Sequence, residues 1–232
     1  MNVLLFTRCP LAFIQSDYGQ FTKRSGYAGT IDDFIKEYDN YDFSIIDDIS
    51  GIIEFCDEAG INLSIYNYSK HKNEVLKCAA EFLSVEEEML SVPYKKVNRS
   101  LSADELALAR IFNKYFSKRG SKIIADPLCN FLPEVASQPV LPQKETLEKF
   151  ANNVNKRIDV FNSKHGERFE PYDRIVPENI RGTPLPAEIC LTKDQIDVIA
   201  SSIYKHMAFR KDPAYKRVFK KIKHKLCQHK NE

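Results

Sequence analysis

Residues 3–10 read Val3-Leu4-Leu5-Phe6-Thr7-Arg8-Cys9-Pro10, and Ser16 follows eight residues after the arginine. The run from residue 2 to residue 7 is short and apolar, the pattern of a strand buried on both faces. Pro10 suits the first position of a helix, where a backbone N–H would go unpaired in any case. Leu11, Ile14, Tyr18 and Phe21 then recur at helical spacing. The spacing predicts a helix from residue 10 to about 25, ended by Gly26. Arg8 therefore stands at the carboxyl end of a strand, just ahead of a helix amino terminus. Ser16 lies about two turns into that helix, on the side away from Leu11 and Tyr18. Free N–H groups and partial positive charge at a helix start attract anions. A guanidinium fork at a strand tip adds two-point contact with phosphate oxygens. In open α/β sheets, ligands sit at the carboxyl edge of the strands. Arg8 and Ser16 are accordingly the candidate anion-binding residues. On spacing alone the commoner arrangement is an arginine paired with a nearby acid and a solvated serine, and both readings stay open.

Outward from this segment, Thr30 with Asp33 reads as a helix start leading into Phe34, Ile35 and Tyr38. Ser44 with Asp47 opens another helix, which Gly60 closes in a left-handed conformation. Ile61 to Tyr68 alternates, with Ile61, Leu63 and Ile65 on one face, and reads as a second strand. A helix from about Lys72 to Leu83 follows. Strand, helices, strand and helix in this order predict parallel strands joined by helical crossovers. Two such strands are too few for a sheet standing alone, so the expectation is that the chain is incomplete or that a partner chain or second copy completes the sheet.

From Ser102 the character changes. Ser102 and Glu105 form a capping box, and the predicted helix runs to Gly120. Residues 121–142 carry Pro127, Pro133, Pro139 and Pro142 and read as an ordered loop. A helix from Lys144 to His165 stops at Gly166. Residues 166–191 hold four more prolines and read as irregular. Thr192 and Gln195 cap a helix reaching about Arg210, and Pro213 starts a last one with Tyr215, Phe219, Ile222 and Leu226 on one side. The fold class expected is α/β and mostly helical: few parallel strands and a helical carboxyl-terminal half. Residues 1–204 form one domain and 205–232 a basic amphipathic helical tail.

The chain's net charge is +2, but residues 205–232 hold ten Lys/Arg against two Asp/Glu, which leaves −6 on residues 1–204. An acidic body without a basic, aromatic-rich face argues against a nucleic-acid partner. The tail suits contact with an anionic membrane surface or plain packing against the body. No apolar run reaches the roughly eighteen residues of a membrane span. No signal-peptide pattern opens the chain, so the expected place is the cytoplasm, with peripheral contact at the inner membrane face through the tail. Six cysteines at wide, irregular spacing, none in a C-x-x-C pair, read as reduced and mostly buried thiols. His71, His165, His206, His224 and His229 read as surface residues, and no metal is expected. Glu86-Glu87-Glu88 reads as a solvated face, and Ser25–Thr30 as a turn.

The words V-L-L-F-T-R-C-P-L-A-F-I-Q-S-D-Y-G-Q-F, R-S-G-Y-A-G-T-I-D-D-F and N-R-S-L-S-A-D-E-L-A-L-A-R-I-F-N together resemble the sulfotransferase superfamily, in particular its bacterial, carbohydrate-directed members, over about residues 3–165. The resemblance implies a P-loop-like parallel-sheet fold. It implies that Arg8 and Ser16 hold the 3′-phosphate of 3′-phosphoadenosine 5′-phosphosulfate or of adenosine 3′,5′-bisphosphate. The reaction implied is transfer of a sulfuryl group to a carbohydrate hydroxyl. Members of the family carry, upstream of the arginine strand, a loop that wraps the 5′-phosphosulfate, and their catalytic base usually lies upstream too. The sequence begins at that strand, so the expectation is a truncated, split or inactive sulfotransferase-like protein with no identifiable catalytic residue. The other function class open to this sequence is a non-catalytic interaction module, docking on a membrane or partner protein through its basic tail.

Overall fold

The computed structural model of the chain describes residues 1–40, 45–90 and 99–211. Strands β1 (Asn2–Thr7) and β2 (Asn62–Asn67) pair in parallel, from Asn2 opposite Asn62 to Thr7 opposite Asn67. Between them run α1 (Pro10–Gln20), a π turn (Phe21–Ser25), α2 (Ile31–Asn40) and α3 (Ile45–Glu58). After β2 come α4 (Tyr68–His71), α5 (Val75–Leu83), a 3₁₀ turn (Glu87–Met89), α6 (Ala103–Phe116), α7 (Lys118–Ile123) and α8 (Ala125–Phe131). Then follow β3 (Val140–Leu141), α9 (Lys144–His165), a second 3₁₀ turn (Pro177–Asn179), β4 (Thr183–Pro184) and α10 (Lys193–Lys211). β3 and β4 form a second, two-residue parallel pair. Over the described residues the protein is thus mostly helical, with a few short parallel strands in two small sheets.

Three of the described helices begin with a reciprocal exchange of side-chain caps. Thr30 Oγ1 accepts from Asp33 N at 3.1 Å while Asp33 Oδ2 accepts from Thr30 N at 2.9 Å. Ser102 Oγ accepts from Glu105 N at 3.3 Å, and Glu105 Oε2 accepts from Ser102 N at 2.9 Å. Thr192 and Gln195 repeat the exchange ahead of α10. Each cap satisfies N–H groups that have no partner inside the helix. The expected start of α3 at Ser44 lies outside the described residues.

Leu63 and Ile65 of β2 are buried, as its alternation predicts. β1 departs from expectation: only Thr7 is fully buried, and the residues before it are half-buried or exposed. Among the described residues β1 pairs with β2 alone, so its side chains lose less surface than those of an interior strand. Helix packing does the rest. One apolar cluster runs from Leu11, Ile14 and Tyr18 of α1 through Ile46, Ile49 and Ile53 of α3 to Phe150, Ile158 and Phe161 of α9 and Ile199 of α10. Packing against helices is what lets so small a sheet persist.

The expected loop over 121–142 is a helix for much of its length. Pro127 falls in the first turn of α8, where its missing N–H costs nothing, so it permits the helix it was read as breaking. The helix expected to reach Gly120 breaks earlier, at Ser117, which adopts φ 50. The fold places Gly26 (φ 81) against this break: a Cβ there would lie 2.6 Å from Lys118 N. The irregular stretch after α9 is tied down by two asparagines. Asn155 accepts from Ile175 N and donates to its carbonyl, at 2.8 and 2.9 Å, and Asn162 does the same with Tyr172 at 2.9 Å each.

Along its outer side α9 lies beside α3, and charges mark their register. Asp47 pairs with Arg157, Glu54 with Lys164, and Asp57 with Arg168 just past the helix end. Both members advance together along the chain, so the two helices run in the same direction. The described cysteines are all free, and Cys56, Cys78 and Cys129 are buried. The boundary expected at residues 204–205 falls inside α10. The expected last helix from Pro213 lies outside the described residues. Among the described residues no helix is long and apolar enough to cross a membrane.

Candidate functional site

β1 ends at Thr7, whose Oγ1 donates to the Tyr66 carbonyl at 3.4 Å and joins the carboxyl ends of the two strands. The chain then turns through Arg8 and Cys9 into α1, where Pro10 holds the first position and no side chain caps the N–H groups. Arg8 stands just ahead of α1, and Ala12, Ser16 and Gly19 lie along one side of that helix, away from Leu11 and Tyr18, leading into the π turn at Lys23. These residues form one wall of a cleft of about 210 Å³. The other wall is Ser100, Leu101 and the segment Ser137 to Val140. Gln15 spans the two by donating to the Val140 carbonyl at 3.0 Å.

The structure therefore brings Arg8 and Ser16 onto a single cleft. Among the described residues no carboxylate stands within ion-pair distance of Arg8; its guanidinium carbon lies 5.8 Å from the centre of the Tyr68 ring. Ser16 is exposed, as its place on the helix predicts. Gly19 leaves room at mid-wall, since a Cβ added there meets nothing within 4 Å.

Lys23 was not singled out in the sequence, and it is the least expected member. It lines the cleft yet is only 2% exposed. Its Nζ donates to the Arg99 carbonyl at 3.3 Å, next to the Ser100–Leu101 wall. The π turn explains the position. Widening the helix by one residue over Phe21–Ser25 changes which side chains face inward, and such turns recur at functional sites. Asn113 of α6 holds the turn, donating to the carbonyls of Thr22 and Tyr27 at 2.8 and 2.9 Å. The signal in the sequence was the continuing stripe Arg8, Ala12, Ser16, Gly19 and Lys23, polar or small at each helical step.

None of the fourteen residues lining the cleft is Asp, Glu, His or Cys. Its charge comes from Arg8 and Lys23. It can hold and orient an oxyanion, but its lining offers no carboxylate, imidazole or thiol to move a proton. No family model, curated protein or solved structure matches this chain. What can be said of the site therefore rests on its own geometry.

A second polar cluster sits at the same carboxyl end of the sheet, just past Tyr68. His71 Nε2 and Glu170 Oε1 are 2.8 Å apart, and Glu74 Oε2 stands 3.7 Å from His71 Nδ1. Glu170 also accepts from Asn67 N at 2.8 Å. The bond to Glu170 raises the His71 pKa against the opposing effect of burial, and Glu74 adds to the rise. Burial opposes ionisation of Glu170. The bonds from His71 and Asn67 outweigh it and hold that carboxyl below its usual range. His71 is thus half-buried and doubly faced by acids, a correction to its reading as a free surface residue. His165 is a second correction. It packs on Phe161 with 8% exposure, and burial, with Lys164 beside it, lowers its pKa. Among the described residues no group of three or more His, Cys, Asp or Glu is arranged to hold a metal ion.

Proposed function

We propose that the cleft receives the phosphate end of a small ligand, and that the chain is a sulfotransferase-like protein. In this reading Arg8 and Ser16 hold the 3′-phosphate of 3′-phosphoadenosine 5′-phosphosulfate or adenosine 3′,5′-bisphosphate. The observation that carries it is a cleft at the carboxyl end of a parallel strand with two cations and no carboxylate in its lining. The uncapped start of α1 lies beside it. The cleft's ~210 Å³ is below the roughly 300–1,000 Å³ usual for a whole ligand. It suits one end of a nucleotide, with the rest lying outside. The P-loop-like ancestry, and a carbohydrate hydroxyl as acceptor, belong to the same proposal. The protein's part in such a transfer is to position the donor and balance charge.

Titration calorimetry with adenosine 3′,5′-bisphosphate tests the reading. The wild-type chain binds, and Arg8→Ala binds about ten-fold more weakly, as loss of a charge-assisted bond of roughly 1.5–3 kcal/mol requires. No heat from the wild-type chain overturns it.

A second reading is favoured by the cleft's lack of any carboxylate or imidazole: a module that binds its anion without transferring anything. A sulfuryl-transfer assay with 3′-phosphoadenosine 5′-phosphosulfate and mixed oligosaccharides separates the two. Binding without turnover favours the module.

A further inference from the structure

We infer that residues 213–227 fold back as a helix along the exposed side of α10, so that the chain's own carboxyl-terminal segment covers an apolar row that α10 turns to solvent.

α10 meets the body through Gln195, Ile199 and Ser202, which are buried, and Gln195 donates to Glu105 at 2.8 Å. Another side of the helix carries Ile196, Ala200, Ile203 and Met207, spaced by four, three and four residues. That spacing sets them in one row. Ile196 is 52% exposed and Met207 53%; Ala200 is exposed, Ile203 is half-buried, and the exposed Tyr204 flanks the row. A contiguous apolar row on a surface marks a place of contact.

The sequence beyond α10 fits that row. Lys211 is the last residue of α10. Pro213 cannot continue that helix, but it suits the first position of another. A connection this short sets consecutive helices side by side and antiparallel. Past the turn, Tyr215, Phe219, Ile222 and Leu226 are again spaced by four, three and four residues. Antiparallel pairing puts Tyr215 opposite Met207, Phe219 opposite Ile203, Ile222 opposite Ala200 and Leu226 opposite Ile196. Each row rises about 17 Å along its helix, so the two match end to end. The lysines of the segment stay in water on its other side. A membrane surface or partner protein that draws on the tail's apolar side must first displace it from α10.

The chain has no tryptophan, so Phe219→Trp in the full chain gives a single reporter inside the seam. Its emission is blue-shifted from that of the same chain in denaturant. Adding Ala200→Asp or Ile196→Asp, each at an exposed position of α10, abolishes the shift. Ser201→Asp, exposed but off the row, preserves it. A second measurement does not depend on how the aspartate variants fold. Ala200→Cys combined with Ile222→Cys, oxidised and digested with trypsin, yields the disulfide-linked peptides from the monomer fraction. The inference is overturned if Phe219→Trp emits as it does in denaturant, or if neither Ala200→Asp nor Ile196→Asp alters the shift. It is equally overturned if the engineered disulfide fails to form, or forms only between two chains.

Discussion

Arg99 and Glu105 face each other through two parallel N–H···O bonds, of 2.7 and 2.8 Å, closed off from solvent. Arg99 also donates to the carbonyls of Leu128 and Leu132, and Gln195 of α10 donates to Glu105 at 2.8 Å. The pair therefore ties the start of α6 to α8 and α10. Burial works against the Glu105 charge, but the bonds from Arg99, Ser102 and Gln195 prevail and hold its carboxyl below the usual range. Glu105→Ala leaves Arg99 buried and uncompensated, and a loss of about 3–5 kcal/mol is expected. Urea unfolding followed by circular dichroism measures it; a loss under about 1 kcal/mol would place the pair among those of marginal worth.

Gly19 offers a change with two separable effects. A glycine inside a helix costs roughly 0.5–1 kcal/mol relative to alanine, and the added Cβ meets nothing. Gly19→Ala should raise stability by about that amount. Gly19→Leu should fold as well but project into the cleft and suppress binding of adenosine 3′,5′-bisphosphate. Undiminished binding by the leucine variant would show that the ligand sits elsewhere.

The contact between Gly26 and the α6–α7 break makes opposite predictions for its two sides. Gly26→Ala combines φ 81 with a 2.6 Å approach to Lys118 N, so stability should fall by about 1–3 kcal/mol or more. Ser117 holds φ 50 without being glycine, and Ser117→Gly should gain about 1 kcal/mol by relieving that strain. Thermal unfolding of the two variants side by side gives both signs in one experiment.

His71 sets a pH dependence of definite sign. Its folded pKa is raised, so its contribution is fully present below the ordinary value of about 6.5. It is lost as pH rises through the raised folded value. The stability difference between wild type and His71→Gln should be largest near pH 5–6 and shrink toward pH 9. His165 acts oppositely. Its folded pKa is lowered, so its contribution holds above the ordinary value and fades as pH falls toward the lowered one. A difference for His71→Gln that grows with pH would contradict the assignment.

The sequence disclosed whatever depended on local chemistry. Lys144 to His165 was legible at both ends, because apolar spacing and Gly166 bound it within the chain itself. The Ser102–Glu105 cap was legible for the same reason. Pro127 misled, because a proline that ends one helix and a proline that begins another look alike until the turn is placed. The break at Ser117 carries no glycine or proline, and its geometry is held by contact with Gly26 from far along the chain. Arg8 and Ser16 were visible as a spacing, yet their sharing a cleft depends on Ser100 and Ser137–Val140 arriving from elsewhere. Lys23 continues the small and polar stripe of Ala12, Ser16 and Gly19, but that stripe does not show that it is buried. Its burial follows from the π turn and the α6 side chains that hold it, which no local pattern announces.

The charge ladder between α3 and α9 has a consequence for the newborn chain. Each rung joins partners 110 or 111 residues apart. At roughly 5–20 residues per second on the ribosome, α3 emerges on the order of ten seconds before the helix that covers it. During that interval Ile46, Ile49 and Ile53 have no mate from α9. The acidic row beside them keeps the exposed side of α3 wetted until the basic row arrives to close it.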